Sequence, residues 1–262
     1  MDASENEAPR LKNDLPLTRP EDVLLALALL SRLPIPPLTA WARQGRAVWA
    51  YPLVGALLGG LAAVSGLICA TLGLPPAISA LVSLAALVIL SGAMHEDGLA
   101  DCADGFWGGW ERARRLEIMK DSRTGSYGVI ALGLSLMARW AALWTLWEVG
   151  ADAAIPAILA AAILSRTMMP VVMRALPHAR ESGLSRQVGR VQGDAVALGL
   201  FIAMVLGVSL LGWALFWPAL SAGVALAGVI ALARAKIGGQ TGDVLGAAQQ
   251  ATEITFLISL LA

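Results

Sequence analysis

The sequence predicts an all-α protein: a polytopic integral membrane helical bundle of about six to seven transmembrane helices, preceded by a short interfacial or re-entrant helix. Of the 262 residues, 57% are hydrophobic and 15% are charged, and the mean hydropathy is +0.70. A soluble domain carries roughly a quarter charged residues. Long apolar runs recur along the chain, and positive charge is confined to alternate connections between them. Both features are typical of a chain that crosses a lipid bilayer several times.

The N-terminal region divides into a tail and a short helix. Residues 1–20 are polar and mixed in charge, without the basic start and apolar centre of a signal peptide, and they predict a disordered tail. A proline followed by two acids at Pro20 to Asp22 favours a helix start. The apolar run 23–30 is too short to cross about 30 Å of hydrocarbon, so an interfacial or re-entrant helix fits it. Residues 21–262 are expected to form a single membrane-embedded domain.

Six apolar runs are long enough to be membrane spans. The predicted spans cover residues 48–74, 75–93, 129–149, 155–176, 195–216 and 219–233. A last stretch, 244–262, is also long enough to cross but carries Gln249, Gln250 and Glu253, so its depth is left open.

The distribution of Lys and Arg predicts the topology. Nearly all of them lie in the N-terminal segment and in three segments at 94–128, 177–193 and 234–243, and the alternate turns hold none. By the positive-inside rule the four charged segments are cytoplasmic, and the candidate site residues face the cytoplasm with them. The 19 basic and 19 acidic residues balance, so nothing predicts nucleic acid as a partner.

The segment that starts at Met94 carries an unusual density of acids beside an apolar run. Asp97, Asp101 and Asp104 are spaced i, i+4, i+7, which places three carboxylates on one stripe of a helix. Carboxylates this close repel one another unless a cation lies among them. Mg²⁺ is bound by one or two carboxylates together with phosphate oxygens. With Asp121, which follows in MKDSRTGSYG, this stripe predicts a magnesium site.

The alternative for the same stripe is a solvated acidic helix end that pairs with the arginines of the following segment. Those arginines are Arg112, Arg114 and Arg115. The position of the stripe next to an apolar helix, and the presence of a second segment with an aspartate, favour the metal site instead.

Further candidates surround the acidic stripe. Lys120 and Arg123 flank Asp121 and would clamp phosphates, and Gly125 in the same segment would allow a close substrate contact. The segment 238–243, GGQTGD, could cradle an anion, with Thr241 and Asp243 as substrate ligands, and Asp243 could also bind a metal or a hydroxyl group. The segment could equally be a tight loop between two spans.

Histidines and arginines complete the candidate set. Arg139 and Arg166 lie inside predicted spans, where an arginine is costly and usually faces a polar cavity, so both could reach a bound phosphate; snorkelling to the interface is the alternative. Arg180 belongs to a basic segment whose arginines could bind lipid headgroups or substrate. His95, two residues before Asp97, is a candidate for a catalytic role, whereas His178 is expected to be a surface residue.

Two long motifs connect these residues to a known family. HEDGLADCADGFWGG, followed by RRLEIMKDSRTGSYG, resembles the signature of the cobalamin synthase family, the adenosylcobinamide-GDP ribazoletransferases. SRLPIP, PHAR and GGQTGDVLGA support the resemblance, which extends from about residue 30 to Glu253. The chain carries Cys102 and His178 where members of the family often carry Thr and Tyr, which puts fine geometry rather than a carboxylate in question.

The resemblance implies a Mg²⁺-dependent transferase of cobalamin biosynthesis in a bacterial inner membrane. A ribose hydroxyl of α-ribazole, or of its 5′-phosphate, would attack the cobinamide-side phosphate of adenosylcobinamide-GDP, and GMP would leave. Asp97, Asp101, Asp104 and Asp121 would hold Mg²⁺. The phosphate clamps would be Lys120, Arg123 and Arg139 or Arg166. One acid or His95 would take the proton. A homo-oligomer and an association with other corrinoid-assembly enzymes are both open.

Two other functions compete with this interpretation. A membrane phosphoalcohol transferase that uses a CDP-alcohol would need a similar acidic site, but its two widely separated Asp pairs do not match the spacing here. A transporter would place charges near the midplane and on both sides of the membrane, whereas nearly all charges in this chain are predicted on one side.

Overall fold

The computed structural model describes residues 16–36, 38 and 41–262, with the backbone alone for Trp41. The predicted disordered tail, 1–20, therefore lies outside the described residues as far as residue 15. Within the described residues the chain is helical, and the one extended pairing is an isolated bridge between His178 and Gln240. The predicted all-α class is confirmed.

Twelve α-helices form within the described residues. They are α1 (Pro20–Leu30), α2 (Gln44–Ala47), α3 (Tyr51–Thr71), α4 (Pro76–Ser91), α5 (Met94–Gly108), α6 (Arg112–Ile118), α7 (Ser126–Val149), α8 (Ala151–Ala175), α9 (Leu184–Val188), α10 (Gly193–Leu211), α11 (Phe216–Ile237) and α12 (Gly242–Ser259). Each apolar run of the sequence corresponds to one helix, within a few residues at either end.

The number of membrane spans is lower than predicted when it is judged by length and composition. Four helical stretches of the described chain are long and apolar enough to cross: Gln44–Thr71, Ser126–Val149, Ala151–Ala175 and Gly193–Ile237. Counting the bent pair α4 and α5 as one broken span gives up to five. The predicted six to seven spans are not confirmed, because α4 is short, α12 is polar and residues Gly193–Ile237 count as one stretch by this criterion.

The 45-residue stretch Gly193–Ile237 is too long for a single crossing. At 1.5 Å per residue a straight helix of this length measures about 67 Å, roughly twice the hydrocarbon thickness. The chain breaks at Gly212, which has a φ of +55°, and a Cβ atom on Gly207 would lie 3.0 Å from the Leu215 side chain. Since Leu215 packs back onto α10, the stretch folds as two helices.

Helix α1 is present where the sequence predicts a short N-terminal helix, and Asp22 attaches it to the segment before α3. The Asp22 carboxylate accepts hydrogen bonds of 2.9 Å from Arg43 and from the Trp49 indole N–H. Burial alone raises the pKa of Asp22, but the hydrogen bonds from Arg43 and Trp49 outweigh it and hold the pKa below its ordinary value. This carboxylate therefore stays charged in the folded protein.

Helix α12 lies at the centre of the bundle, packed against α5, α8 and α11. Glycines permit its close approach to α5: a Cβ on Gly98 would lie 2.7 Å from the Asp243 carbonyl oxygen, and one on Gly246 would lie 3.1 Å from His95 Cα. Helix α12, whose depth the sequence leaves open, therefore lies in the interior of the bundle. Apolar side chains are exposed on the outside of the bundle, for example Leu57, Leu61, Val64 and Ile68 of α3.

Helices α3 and α8 are in contact through a small-residue motif. Gly55 and Gly59 form a G-x-x-x-G pair, which allows two membrane helices to approach closely. A Cβ on Gly55 would overlap the Ala162 carbonyl oxygen and lie 2.7 Å from Ile163 Cα. Because both obstacles are backbone atoms, they cannot move aside as a flexible side chain would.

We expect Gly55→Ala to destabilise the bundle by about 1–3 kcal/mol, since α3 and α8 must separate to admit the methyl group. Thermal unfolding in detergent measures this as a lower midpoint. Gly133→Ala is the matched control, because a Cβ on Gly133 has no neighbour within 4 Å. Equal midpoints for the two variants would contradict the close α3–α8 contact.

Candidate active site

A sharp bend between α4 and α5 brings the acidic motif into the bundle. Gly92 and Ala93 have φ values of +67° and +56°, and the two helices meet at 84°. Ala93 is the one non-glycine residue with a positive φ in the described chain. A residue with a β-carbon is strained at a positive φ. Packing on both sides of the bend must therefore hold Ala93 in this conformation. The bend turns α5 towards α12.

A cavity of about 180 Å³ lies where α5, α8 and the N-terminal end of α12 meet the segment 178–188. We call it the first cavity. Five of the predicted site residues line it: His95, Asp97, Arg180, Thr241 and Asp243. The structure thus joins the HEDGLAD motif and the GGQTGD segment, which lie far apart in the sequence.

The rim of the first cavity carries opposed charges. The Arg180 guanidinium lies 3.2 Å from Asp243 Oδ2, and the Thr241 hydroxyl donates to the same oxygen at 3.1 Å. Thr241 also accepts from Val244 N and caps the N-terminus of α12. Burial raises the pKa of Asp243 above its ordinary value, and Arg180 opposes this effect in part. Half-buried Asp101 lies close enough to Asp243 for electrostatic repulsion.

Asp104 lies at the other end of α5 and anchors α7. Its two carboxylate oxygens accept hydrogen bonds from the backbone N–H groups of Gly125 at 2.7 Å and Gly128 at 2.9 Å. These amides begin α7 and have no partner within the helix. A Cβ on Gly125 would lie 2.5 Å from Asp104 Oδ1, so the glycine is needed for the contact. The carboxylate therefore supports the fold directly.

A second cavity, of about 450 Å³, is lined by Asp104, Asp121, Arg123 and Gly125. The exposed Arg123 side chain donates to both carboxylate oxygens of Asp121, at 3.1 and 2.8 Å. This guanidinium lowers the pKa of Asp121 to about 2. Lys120 is exposed and lines neither of these cavities.

The four predicted metal ligands do not converge on one point. Within the described chain, no group of three or more His, Cys, Asp or Glu side chains is close enough to hold a metal ion. Asp104 is engaged with backbone amides and Asp121 with Arg123, both at the second cavity. The i, i+4, i+7 stripe is longer than one ion can reach, because seven residues of helix measure about 10 Å. The magnesium requirement itself stays a prediction.

The alternative in which the acids of α5 pair with the arginines of α6 is wrong. Arg112 donates to the carbonyl oxygens of Ile237 at 2.7 Å and Ala179 at 3.1 Å, and Arg115 donates to that of Lys236 at 2.9 Å. Arg114 pairs with Glu117 within α6. Two of these arginines therefore stabilise the C-terminal end of α11, where carbonyl groups lack helical partners.

Arg139 lies in a buried ion network instead of facing either cavity. It is 2% exposed, and its guanidinium lies 2.7 Å from Glu96 of α5 and 2.8 Å from Glu253 of α12. It also donates to the Gln250 side chain at 2.9 Å. These contacts connect α5, α7 and α12 at one point.

Arg166 of α8 lies in the same network. Its Nη1 atom is 3.8 Å from Glu253 and donates to the Ala162 carbonyl at 3.1 Å. Ser165 and Gln249 donate to the second oxygen of Glu253. The predicted contact of Arg139 and Arg166 with phosphate stays a prediction, and neither residue lines the first cavity in this structure.

The sequence did not predict that Glu96 and Glu253 pair with Arg139, or that His178 lines the first cavity. Gln249, Gln250 and Glu253 were a detectable signal, since polar residues within apolar helices usually pair inside the membrane. His178 lines the first cavity, and its Nδ1 accepts from Gln240 Nε2 at 2.9 Å and contacts the Ser185 hydroxyl at 3.3 Å. It is therefore not an ordinary surface residue.

We expect Asp104→Ala to loosen the start of α7 by about 1 kcal/mol, because two backbone N–H groups lose their acceptor. Hydrogen–deuterium exchange at residues 124–130 should become faster. Asp121→Ala is the control, since Asp121 accepts from Arg123 alone. Unchanged exchange in the Asp104 variant would contradict the anchoring role.

We expect Arg139→Met to destabilise the protein by about 3–5 kcal/mol, because buried Glu96 would lose the guanidinium at 2.7 Å and buried Glu253 would keep only the more distant Arg166, at 3.8 Å. Chemical or thermal unfolding in detergent measures the loss. Arg123→Met removes a guanidinium from an exposed pair and should leave the midpoint unchanged. A small effect of Arg139→Met would mean that the glutamates are neutral or hydrated.

Known proteins are similar to this chain along nearly its whole length. A family model described as cobalamin-5-phosphate synthase matches residues 22–261. An adenosylcobinamide-GDP ribazoletransferase of Mesorhizobium japonicum is 40% identical over 239 residues, covering 91% of this chain and 92% of the relative. A relative of the same name from Azorhizobium caulinodans is 43% identical, covering 92% of this chain and 95% of the relative. Another, from Bradyrhizobium diazoefficiens, is 41% identical, covering 90% of this chain and 92% of the relative. No solved structure matches. The chain belongs to the cobalamin-5-phosphate synthase family.

Proposed function

We propose that this protein joins adenosylcobinamide-GDP to α-ribazole or α-ribazole 5′-phosphate and releases GMP, a late step in assembling the nucleotide loop of cobalamin. One observation carries the proposal beyond family membership. The two signature segments, HEDGLAD and GGQTGD, meet at the first cavity, where Asp97 and Asp243 face the same space beside Arg180. This arrangement suits a displacement at phosphorus.

The reaction exchanges one P–O bond for another. A ribose hydroxyl oxygen of the acceptor attacks the cobinamide-side phosphorus, a new P–O bond forms, and the bond from that phosphorus to the oxygen of GMP breaks. The hydroxyl proton passes to a base at the first cavity. The candidates there are the carboxylates of the rim and His95, whose buried Nε2 has no hydrogen-bond partner within the described chain.

The positive groups of the rim would hold the phosphates. Arg180 is fixed on one side by the Leu116 carbonyl at 3.1 Å and on the other by Asp243. The N-terminus of α12 opens onto the same cavity and adds the positive end of a helix dipole. Phosphoryl transfer depends mainly on positioning and on such electrostatic stabilisation.

Asp97, Asp101 and Asp243 are the candidates for the one or two carboxylates that would hold Mg²⁺. Mg²⁺ commonly takes one or two carboxylates and completes its coordination with substrate phosphates and water, so no preformed cluster of three protein ligands is needed. The ion, when bound, neutralises charge on the diphosphate and on the departing GMP. Asp104 and Asp121 are left out of this set because their oxygens are engaged at the second cavity.

The proposed location is the bacterial inner membrane, with the first cavity open to the cytoplasm. The support is the concentration of Lys and Arg in the segments that build the rim, 177–193 and 234–243, and their absence from the alternate turns.

We expect the purified protein in detergent to convert adenosylcobinamide-GDP and α-ribazole 5′-phosphate into GMP and a corrinoid product in equal amounts when Mg²⁺ is present. EDTA should abolish the reaction, and added Mg²⁺ should restore it. Activity that persists in EDTA would refute the metal proposal. A folded sample without transfer activity, tested with both acceptors, would refute the proposed function.

Two matched carboxylate variants locate the reaction in the same assay. Asp243→Asn should lower kcat by about 100-fold or more, because a charge is lost at the rim where phosphorus reacts. Asp121→Asn should lower it by less than about tenfold, since this exposed residue is paired with Arg123. The reverse order would place the reaction at the second cavity.

A further inference from the structure

We propose that the first cavity is the acceptor subsite: it takes the dimethylbenzimidazole base of α-ribazole, and the corrinoid substrate docks outside it. This inference rests on the proposed function and assigns one of the two substrates to a defined set of side chains. The buried charge network of Arg139, Glu96 and Glu253 does not line this cavity.

The inner wall of the first cavity is apolar. Leu30, Tyr51, Met169, Met173 and Leu245 line it, and each is at most 8% exposed. Met169 and Met173 are four residues apart on α8 and therefore present adjacent side chains on one face. Methionine is flexible and makes favourable contacts with aromatic rings. Together with the Tyr51 ring, this wall suits a flat aromatic group without charge.

The polarity of the lining changes from the wall to the rim. Asp97 is exposed and Arg180 and Asp243 are partly exposed, whereas the methionines are buried. A nucleoside whose base lies against Met169 and Met173 would place its ribose nearer the charged rim. The attacking hydroxyl would then lie beside the phosphate groups held there, as the reaction requires.

The size of the first cavity separates the two substrates. Its volume of about 180 Å³ is below the roughly 300–1,000 Å³ of pockets that enclose a drug-sized ligand. A bicyclic base with two methyl groups is of the size that such a space can enclose. A corrin macrocycle with its peripheral amide side chains is several times larger and must remain at the surface.

The hydrogen-bonding groups of the cavity distinguish the acceptor base from guanine, the other base present in the reaction. Guanine has several donors and acceptors on its edge that need partners when buried. Gln240, His178 and Ser185 of this cavity are hydrogen-bonded to one another, and of the buried lining atoms in the described chain only His95 Nε2 and Arg180 Nε have no partner. Dimethylbenzimidazole has an apolar edge and leaves few groups unsatisfied, so the lining favours it over the guanine of the donor.

Kinetics with both substrates test the assignment. Met173→Trp fills the cavity, and we expect the KM for α-ribazole to rise about tenfold or more, while the KM for adenosylcobinamide-GDP changes less than about twofold. Met169→Ala makes a milder change if the tryptophan variant folds poorly. It should raise the KM for α-ribazole and reduce the preference for the dimethyl base over the riboside of unsubstituted benzimidazole. Met204→Trp on α10, where Met204 is 48% exposed, is the matched control and should change neither KM.

The failure of this inference can be distinguished from failure of the proposed function. If wild-type protein is active but the cavity variants raise the KM for adenosylcobinamide-GDP alone, or change neither KM, the acceptor subsite lies elsewhere. If wild-type protein shows no transfer, the proposed function fails. Equilibrium dialysis of α-ribazole against wild-type and Met173→Trp protein then decides the subsite separately, and equal binding, or none, to both would overturn it.

Discussion

The buried contact of Arg139 with Glu96 and Glu253 is the interaction on which the rest of this structure depends. An ion inside an apolar bundle costs several kcal/mol unless it is paired and hydrogen-bonded. Here one guanidinium is shared between two carboxylates from two helices, at 2.7 and 2.8 Å. Since the three residues come from α7, α5 and α12, a shift of any of these helices would leave a charge without its partner. The network therefore fixes the orientation of α5, and Glu96 lies directly beside Asp97.

Close packing between α5 and α12 fixes the position of α5 together with these ion pairs. The backbone of α5 can approach α12 closely because Gly98 and Gly246 lack side chains at the contact. The bend at Gly92 and Ala93 places this contact at the start of α5, where His95 and Asp97 are found. A local backbone strain at Ala93 is thus compensated by packing and by the ion pair that follows it. The result is a cavity with a charged rim beside a buried charge network.

The acids of α5 have different surroundings although they share one stripe. Asp97 opens onto the first cavity, Asp101 lies between this cavity and the far end of the helix, and Asp104 binds the amides that begin α7. One helix therefore carries a carboxylate that faces the first cavity at one end and a carboxylate that anchors α7 at the other. The same separation applies to the arginines, since Arg180 is at the rim while Arg112 and Arg115 stabilise the end of α11.

The sequence by itself determined the helical class, the positions of the helices and the family, because apolar runs of fixed length and long motifs are local properties of the chain. It also predicted His95, Asp97, Arg180, Thr241 and Asp243 as site residues, since each lies in a motif whose residue types suit phosphate chemistry, and these five residues line the first cavity. Only the tertiary structure decided which of them share a cavity, and it separated Asp104 and Asp121 from that group. The physical reason is that hydrogen bonds and ion pairs form between helices distant in sequence: the partners of Asp104 are 21 and 24 residues away, and Gln250 lies 111 residues from Arg139. Helical spacing specifies a face, but the neighbouring helix decides what that face contacts.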